Sequence, residues 1–176
     1  MGRAVPGSFR FVLKGRQKIT HFQLLKDSES DTDEFLGVAS LLNDRLGAIL
    51  FQLPPTFRKN VERLDVFLKH IAGRVKVAFE FRNETWLDNE VYDCLRTHSA
   101  ALAVTDRDDL PETGLVHTAN WGYVRLSRDN YSHEQLRVWL EGIRSQKWVE
   151  TYVIFVHKDD GMSPKLAAKL TRMAGA

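Results

Sequence analysis

Short apolar runs rich in β-branched and aromatic residues alternate along the chain with stretches whose apolar positions recur every three or four residues. The first run is Phe9-Arg10-Phe11-Val12-Leu13, ending at Lys14-Gly15. Asp27 to Asp31 is polar and reads as a solvated loop. Thr32 then reads as the N-cap of a helix with Asp33 and Glu34 in its first turn, where acidic side chains favour the helix dipole. Its apolar positions are Phe35, Val38, Ala39, Leu42 and Leu46. Gly47 to Leu53 is almost wholly apolar and stops at Pro54-Pro55, as expected of a strand covered on both faces. A helix with Val61, Leu64, Phe67, Leu68 and Ile71 on one stripe stops at Gly73. The third strand is read over Val75 to Phe81, followed by a helix carrying Val91, Cys94 and Leu95, and the fourth over Ala100 to Val104. The alternation breaks from Asp106 to Asn120, where Leu115-Val116-His117 offers at most a short extended piece. It resumes with a strand over Gly122 to Leu126 and a helix carrying Leu136, Trp139, Leu140 and Ile143. A strand over Thr151 to Val156 and a last helix with Leu166, Ala167, Leu170 and Met173 complete the pattern.

Six strands joined mostly by helices predict right-handed β-α-β crossovers, hence an α/β fold with a parallel sheet in one domain over 1–176. Either an open doubly wound sheet or part of a barrel satisfies this order. Neither Gly-x-Gly-x-x-Gly nor Gly-x-x-x-x-Gly-Lys-Ser/Thr occurs, which removes support from the common nucleotide-binding open sheets.

Composition narrows the picture little. A formal net charge of +2 is weak for a nucleic-acid binder, although a local patch is compatible with it. One cysteine, Cys94, excludes an intramolecular disulfide and suits a reducing, cytoplasmic location; on the apolar side of its helix it reads as a packing residue. No apolar run is long enough to span a membrane, and the N-terminus lacks the apolar stretch of a signal peptide. Pro6 breaks the myristoylation pattern.

Chemistry is expected where parallel β/α folds place it, at the C-terminal strand ends. Those positions hold Lys14, Gln52, Glu80 with Arg82, Asp106, Arg125 and His157. Glu80 and Arg82 share one face of their strand, as do Tyr123 and Arg125, and Phe155 and His157. If those faces point inward, Lys14, Arg82 and Arg125 meet two carboxylates in one cleft. Guanidinium forks then suit a phosphate or carboxylate ligand, and Glu80, Asp106 or His157 are the candidate catalytic proton carriers. The plainer alternative is that these charges mark where strands reach solvent, with Glu80–Arg82 a local ion pair. Neighbouring arginines oppose a cation, so no metal is expected. Trp86 suits a cleft wall or a core position equally.

Leu50-Phe51-Gln52-Leu53-Pro54-Pro55, Ala78-Phe79-Glu80-Phe81-Arg82 with Trp86, and Tyr123-Val124-Arg125-Leu126 strongly resemble the YecE-like family, domain of unknown function 72. Lys14 followed by Ile19-Thr20-His21, Asp106 and Phe155-Val156-His157 extend the resemblance along the chain from about Phe9. It implies a TIM-barrel-like fold in which the six strands stand for the third to eighth, a biochemical activity not established, and no strongly indicated cofactor. It also implies that Lys14, His21, Gln52, Arg82, Trp86, Tyr123 and Arg125 surround the substrate. Val156 and Lys158 replace the Lys and Glu usual around this histidine. The family's opening Gly-Thr-Ser-Gly-Trp strand and its second, glutamate-bearing strand have no counterpart, so the barrel is expected to be incomplete. Association with another chain would cover its unpaired edges. The leading expectation is an enzyme acting on a phosphorylated or other anionic substrate. A nucleic-acid-binding or processing protein and a truncated, catalytically inactive interaction module stand beside it.

Overall fold

A computed structural model describes residues 6–111, 113–156 and 161–175. Six strands, β1 (Phe11–Lys14), β2 (Leu46–Gln52), β3 (Val77–Glu80), β4 (Ala101–Thr105), β5 (Trp121–Leu126) and β6 (Glu150–Phe155), lie in sequence order, each parallel to the next. Among the described residues five α-helices cross over between or follow them: α1 (Glu29–Ser40), α2 (Val61–Ile71), α3 (Asn89–Thr97), α4 (His133–Ser145) and α5 (Met162–Ala174). The result is an open half-barrel, an incomplete TIM-barrel-like fold.

In the central strands β3 and β4 residue size sorts the two faces of the sheet. Ala48, Leu50, Ala78, Ala101, Ala103, Trp121 and Tyr123 pack together on the concave inner face. Ile49, Phe51, Leu53, Val77, Phe79, Phe81 and Leu102 face α1, α2 and α3. Val124, Leu126, Val153 and Phe155 face α4 and α5. Alternation along a strand makes this partition, and placing small residues inside lets the sheet curl. Three helix starts are fixed by side-chain caps: Asn60 accepts from the Arg63 amide, Asp88 from the Val91 amide, and Ser132 with Gln135 forms a reciprocal capping box. α1 begins before the expected Thr32: Ser28 is its N-cap, Glu29 and Asp31 occupy the first turn, and Thr32 is wholly buried. The expected Asp27–Asp31 loop is therefore largely helix.

At the N-terminal ends of the strands the inner face is bridged from side to side. The register of β1 on β2 slips between Phe11 and Val12, so Gly47 is an extra, bulged residue. Leu46 therefore packs outward and Ala48 inward. A Cβ on Gly47 would stand 2.8 Å from the Tyr152 ring, so only glycine admits that ring against β2. Beside it, Lys76 of the β3 approach forms an ion pair with Glu150 at the start of β6. The edges are less well covered than the centre: β1 and β6 hold no fully buried residue, whereas β3 and β4 are buried throughout.

Candidate functional site

At the opposite, C-terminal ends of the strands, one carboxylate organises the inner face. Glu80 is 1% exposed. Its register partner on β2 is Gln52, whose Nε2 donates to Glu80 Oε1 at 2.6 Å. Arg82, just past the end of β3, donates from Nε to the same oxygen at 3.2 Å. Arg125 reaches over β4 from β5 and its Nη1 donates to Glu80 Oε2. The inner residues of β4 are Ala101 and Ala103, small enough to leave that path open. Both Glu80 oxygens are thus occupied, and the side chain serves as a clamp for two guanidiniums (side-chain exposures 22% and 14%).

Lys14 ends β1 with no carboxylate partner among the described residues, and its side chain still reaches solvent. Its ammonium is held below the ordinary lysine range, first by burial and then by repulsion from Arg82 and Arg125, with Glu80 opposing. His21 belongs to the same neighbourhood. It sits on a single turn of π-helix, Lys18–Phe22, a rare wide turn of the kind found at functional sites. Burial, then Lys14 and Arg82, lower its pKa and favour the neutral imidazole. The buried Thr20 hydroxyl lies 2.8 Å from His21 Nδ1 and fixes the ring. Tyr123 is 3% exposed on the inner face, and burial pushes its phenol up to about 12, so it stays a neutral hydroxyl.

Asp106 does not join this cluster. Inner positions of β4 are 101, 103 and 105, so the next residue turns outward. Its Oδ1 accepts from the Ser127 amide at 2.7 Å, and its Oδ2 from the Tyr131 hydroxyl, which also accepts from the Arg128 amide at 2.9 Å. Burial and the Asp106 contact raise the Tyr131 pKa. A cavity of about 390 Å³ opens here, lined by Thr105, Asp106, Arg107, Arg128 and Trp139 among others. Trp86 is likewise not a cleft wall. It is wholly buried behind the sheet, stacked on Phe81 at 4.8 Å between centroids, with Nε1 donating to the Phe57 carbonyl at 2.7 Å. A short 3-10 turn at Glu84–Trp86, capped by Asn83, folds the ring back toward α2 and α3. Phe155 packs edge-on against Tyr131 on the helix side, so it does not share the face of Tyr123 and Arg125. His157 lies outside the described residues.

Two groups escaped the sequence reading. Thr105, in register with Arg125, has a buried hydroxyl with no hydrogen-bond partner among the described residues. Small-in, large-out alternation along β4 was the available signal. Arg107 also lies within the field of Glu80, but its guanidinium is held by Asp109 at 2.8 Å.

The fold and the charge cluster together describe a parallel β/α half-barrel with an arginine-clamped glutamate at the C-terminal strand ends. Over residues 1–176 the chain matches the model "Protein of unknown function DUF72", and it belongs to that family. A DUF72 family protein of Thermotoga maritima superposes with a TM-score of 0.82 at 25% identity, covering 97% of this chain and 75% of that one. A second, from Enterococcus faecalis, gives 0.80 at 22% identity, covering 98% and 80%. The UPF0759 protein YunF of Bacillus subtilis is 31% identical over 100 residues, and this match spans 35% of YunF's length. No helix among the described residues is long and apolar enough to cross a membrane.

Proposed function

We propose that the strand-end cluster binds an anionic substrate, a phosphate ester or carboxylate, and that the protein is an enzyme acting on it. The observation that carries this reading is an excess of positive charge among the described residues: Lys14, Arg82 and Arg125 gather around the carboxylate of Glu80, while Asp109, which also feels Arg82, is paired with Arg107. An anion beside Lys14 relieves the repulsion it feels from the two guanidiniums, and forked N–H donors match phosphate oxygens. In this scheme Glu80 and Gln52 hold the arginines in place. His21, neutral at its lowered pKa and oriented by Thr20, moves the proton. Thr105 offers a hydroxyl to the bound anion.

Titration with inorganic phosphate, followed by calorimetry, tests the reading. Arg82→Ala removes a charge-assisted contact of about 1.5–3 kcal/mol, so phosphate affinity is expected to fall by about 10- to 150-fold. Unchanged affinity in that variant would count decisively against it. The nucleic-acid alternative loses its stacking groups, because Trp86 and Tyr123 are both buried. Incompletely covered β1 and β6 favour association through the sheet edges as an additional property.

A further inference from the structure

On the outer layer, behind β3 and β4, three potential ligands of different chemistry meet across the seam between α2 and α3. Cys94 and His98 stand four residues apart on α3, hence on one face of it, with His98 at the C-cap. Asp65 faces them from α2. The Cys94 sulfur, a His98 ring nitrogen and an Asp65 carboxylate oxygen all lie within 4.8 Å of one another. His98 Nε2 and Asp65 Oδ1 are 2.8 Å apart.

From this geometry we propose a binding site for a borderline-soft divalent cation of the Zn²⁺ class, held by Asp65, Cys94 and His98 with the fourth position open to solvent. Sulfur, nitrogen and oxygen donors in threes, with a vacant tetrahedral position, are the ligand set such an ion takes. Ligand bonds of about 2.0–2.3 Å place tetrahedral donors roughly 3.3–3.7 Å apart. The His98–Asp65 pair must therefore open by about half an ångström and the widest pair close by at most about one. Both adjustments are within side-chain reach at a helix–helix seam. Cys94 is buried and the His98 side chain is 9% exposed, while Asp65 at 32% provides the approach from solvent. On binding, the ion replaces the thiol proton, which passes to solvent, and it ties α2 to α3 behind the sheet.

One neighbour opposes the ion. Lys69, four residues after Asp65, places Nζ 2.6 Å from Asp65 Oδ2. Its side chain is 67% exposed, so the ammonium can swing away. Removing that charge should tighten the site, which a mere packing contact does not predict.

The probe is Co²⁺, added to the full chain and read in the near ultraviolet and visible, with Zn²⁺ as competitor. One Co²⁺ per chain is expected, with a thiolate-to-cobalt charge-transfer band and tetrahedral d–d bands that excess Zn²⁺ abolishes. His98→Gln and Asp65→Asn should each lower Co²⁺ affinity at least tenfold, Cys94→Ser should erase the charge-transfer band, and Lys69→Gln should raise affinity severalfold. Circular dichroism identifies any variant that has not folded, and the surface substitution Lys69→Gln keeps the test decisive if core variants fail. Absence of the charge-transfer band in the unaltered chain at millimolar Co²⁺ overturns the proposal. So does a band unchanged in folded His98→Gln or Asp65→Asn, or an affinity unaffected by Lys69→Gln.

Discussion

Replacing Glu80 by Gln keeps the shape of the clamp and removes its charge. In the folded protein Glu80 is 1% exposed and takes hydrogen bonds from Gln52, Arg82 and Arg125. The amide of the variant presents an N–H₂ group to one of these donors and leaves two largely shielded guanidiniums facing each other and Lys14. Breaking a buried ion pair costs about 3–5 kcal/mol. The arginine side chains retain 22% and 14% exposure, which screens part of the repulsion, so the lower end, about 3 kcal/mol, is expected. With a urea dependence of about 2 kcal/mol per molar, the unfolding midpoint should fall by about 1.5 M. Phosphate sharpens the test, since an anion can replace the missing carboxylate. At about 100 times its Kd it restores roughly 2.7 kcal/mol, nearly the whole loss. The assay is urea unfolding by tryptophan fluorescence, with and without phosphate, at constant ionic strength. A Glu80→Gln midpoint within about 0.3 M of the unaltered protein would refute the clamp. A large loss that phosphate does not repair would keep the clamp but refute anion binding between the arginines.

Two further tests separate the inner cluster from its surroundings. His21 has a folded-state pKa below the ordinary value of about 6.5. The unfolded chain therefore binds a proton there more readily, and the contribution of His21 to stability, complete above about pH 6.5, is lost as pH falls toward the folded value. Urea midpoints of the unaltered protein should drop more steeply below that pH than those of His21→Gln; parallel curves would contradict this environment. Tyr131→Phe removes the hydroxyl that links Asp106 to the Arg128 amide and should cost about 1–2 kcal/mol in urea unfolding while leaving phosphate affinity unchanged. A fall in phosphate affinity there would return Asp106 to the site.

Strand periodicity made much of this legible in advance. Two-residue spacing put Glu80 with Arg82 and Tyr123 with Arg125, and the structure has each pair on the inner face. The direction of Asp106, and the choice between cleft wall and core for Trp86, stayed open for a physical reason: β3 and β4 are apolar on both faces, so polarity does not mark which way a side chain points. On β4 volume does mark it. Ala101 and Ala103 against Leu102 and Val104 separate concave from helix-facing positions, and by that criterion Asp106 turns outward. The folding back of Trp86 depends on a 3-10 turn too short for any periodicity to announce. The early start of α1 was hidden because Ser28, Ser30 and Thr32 all resemble caps in a polar stretch, and only packing selects Ser28.

The bulge at Gly47 has a bearing on the far end of the molecule. With Tyr152 seated against it and Lys76 tied to Glu150, β6 is drawn toward β2 and β3 as a bowstring draws the limbs of a bow. Side chains at its base thus brace the arc of the sheet. Lys14, Arg82 and Arg125 converge only because that arc persists to the opposite rim, a seven-residue strand or about 23 Å away. A bulky residue at position 47 should consequently splay the charges at the mouth, altering anion affinity from a position that touches none of them.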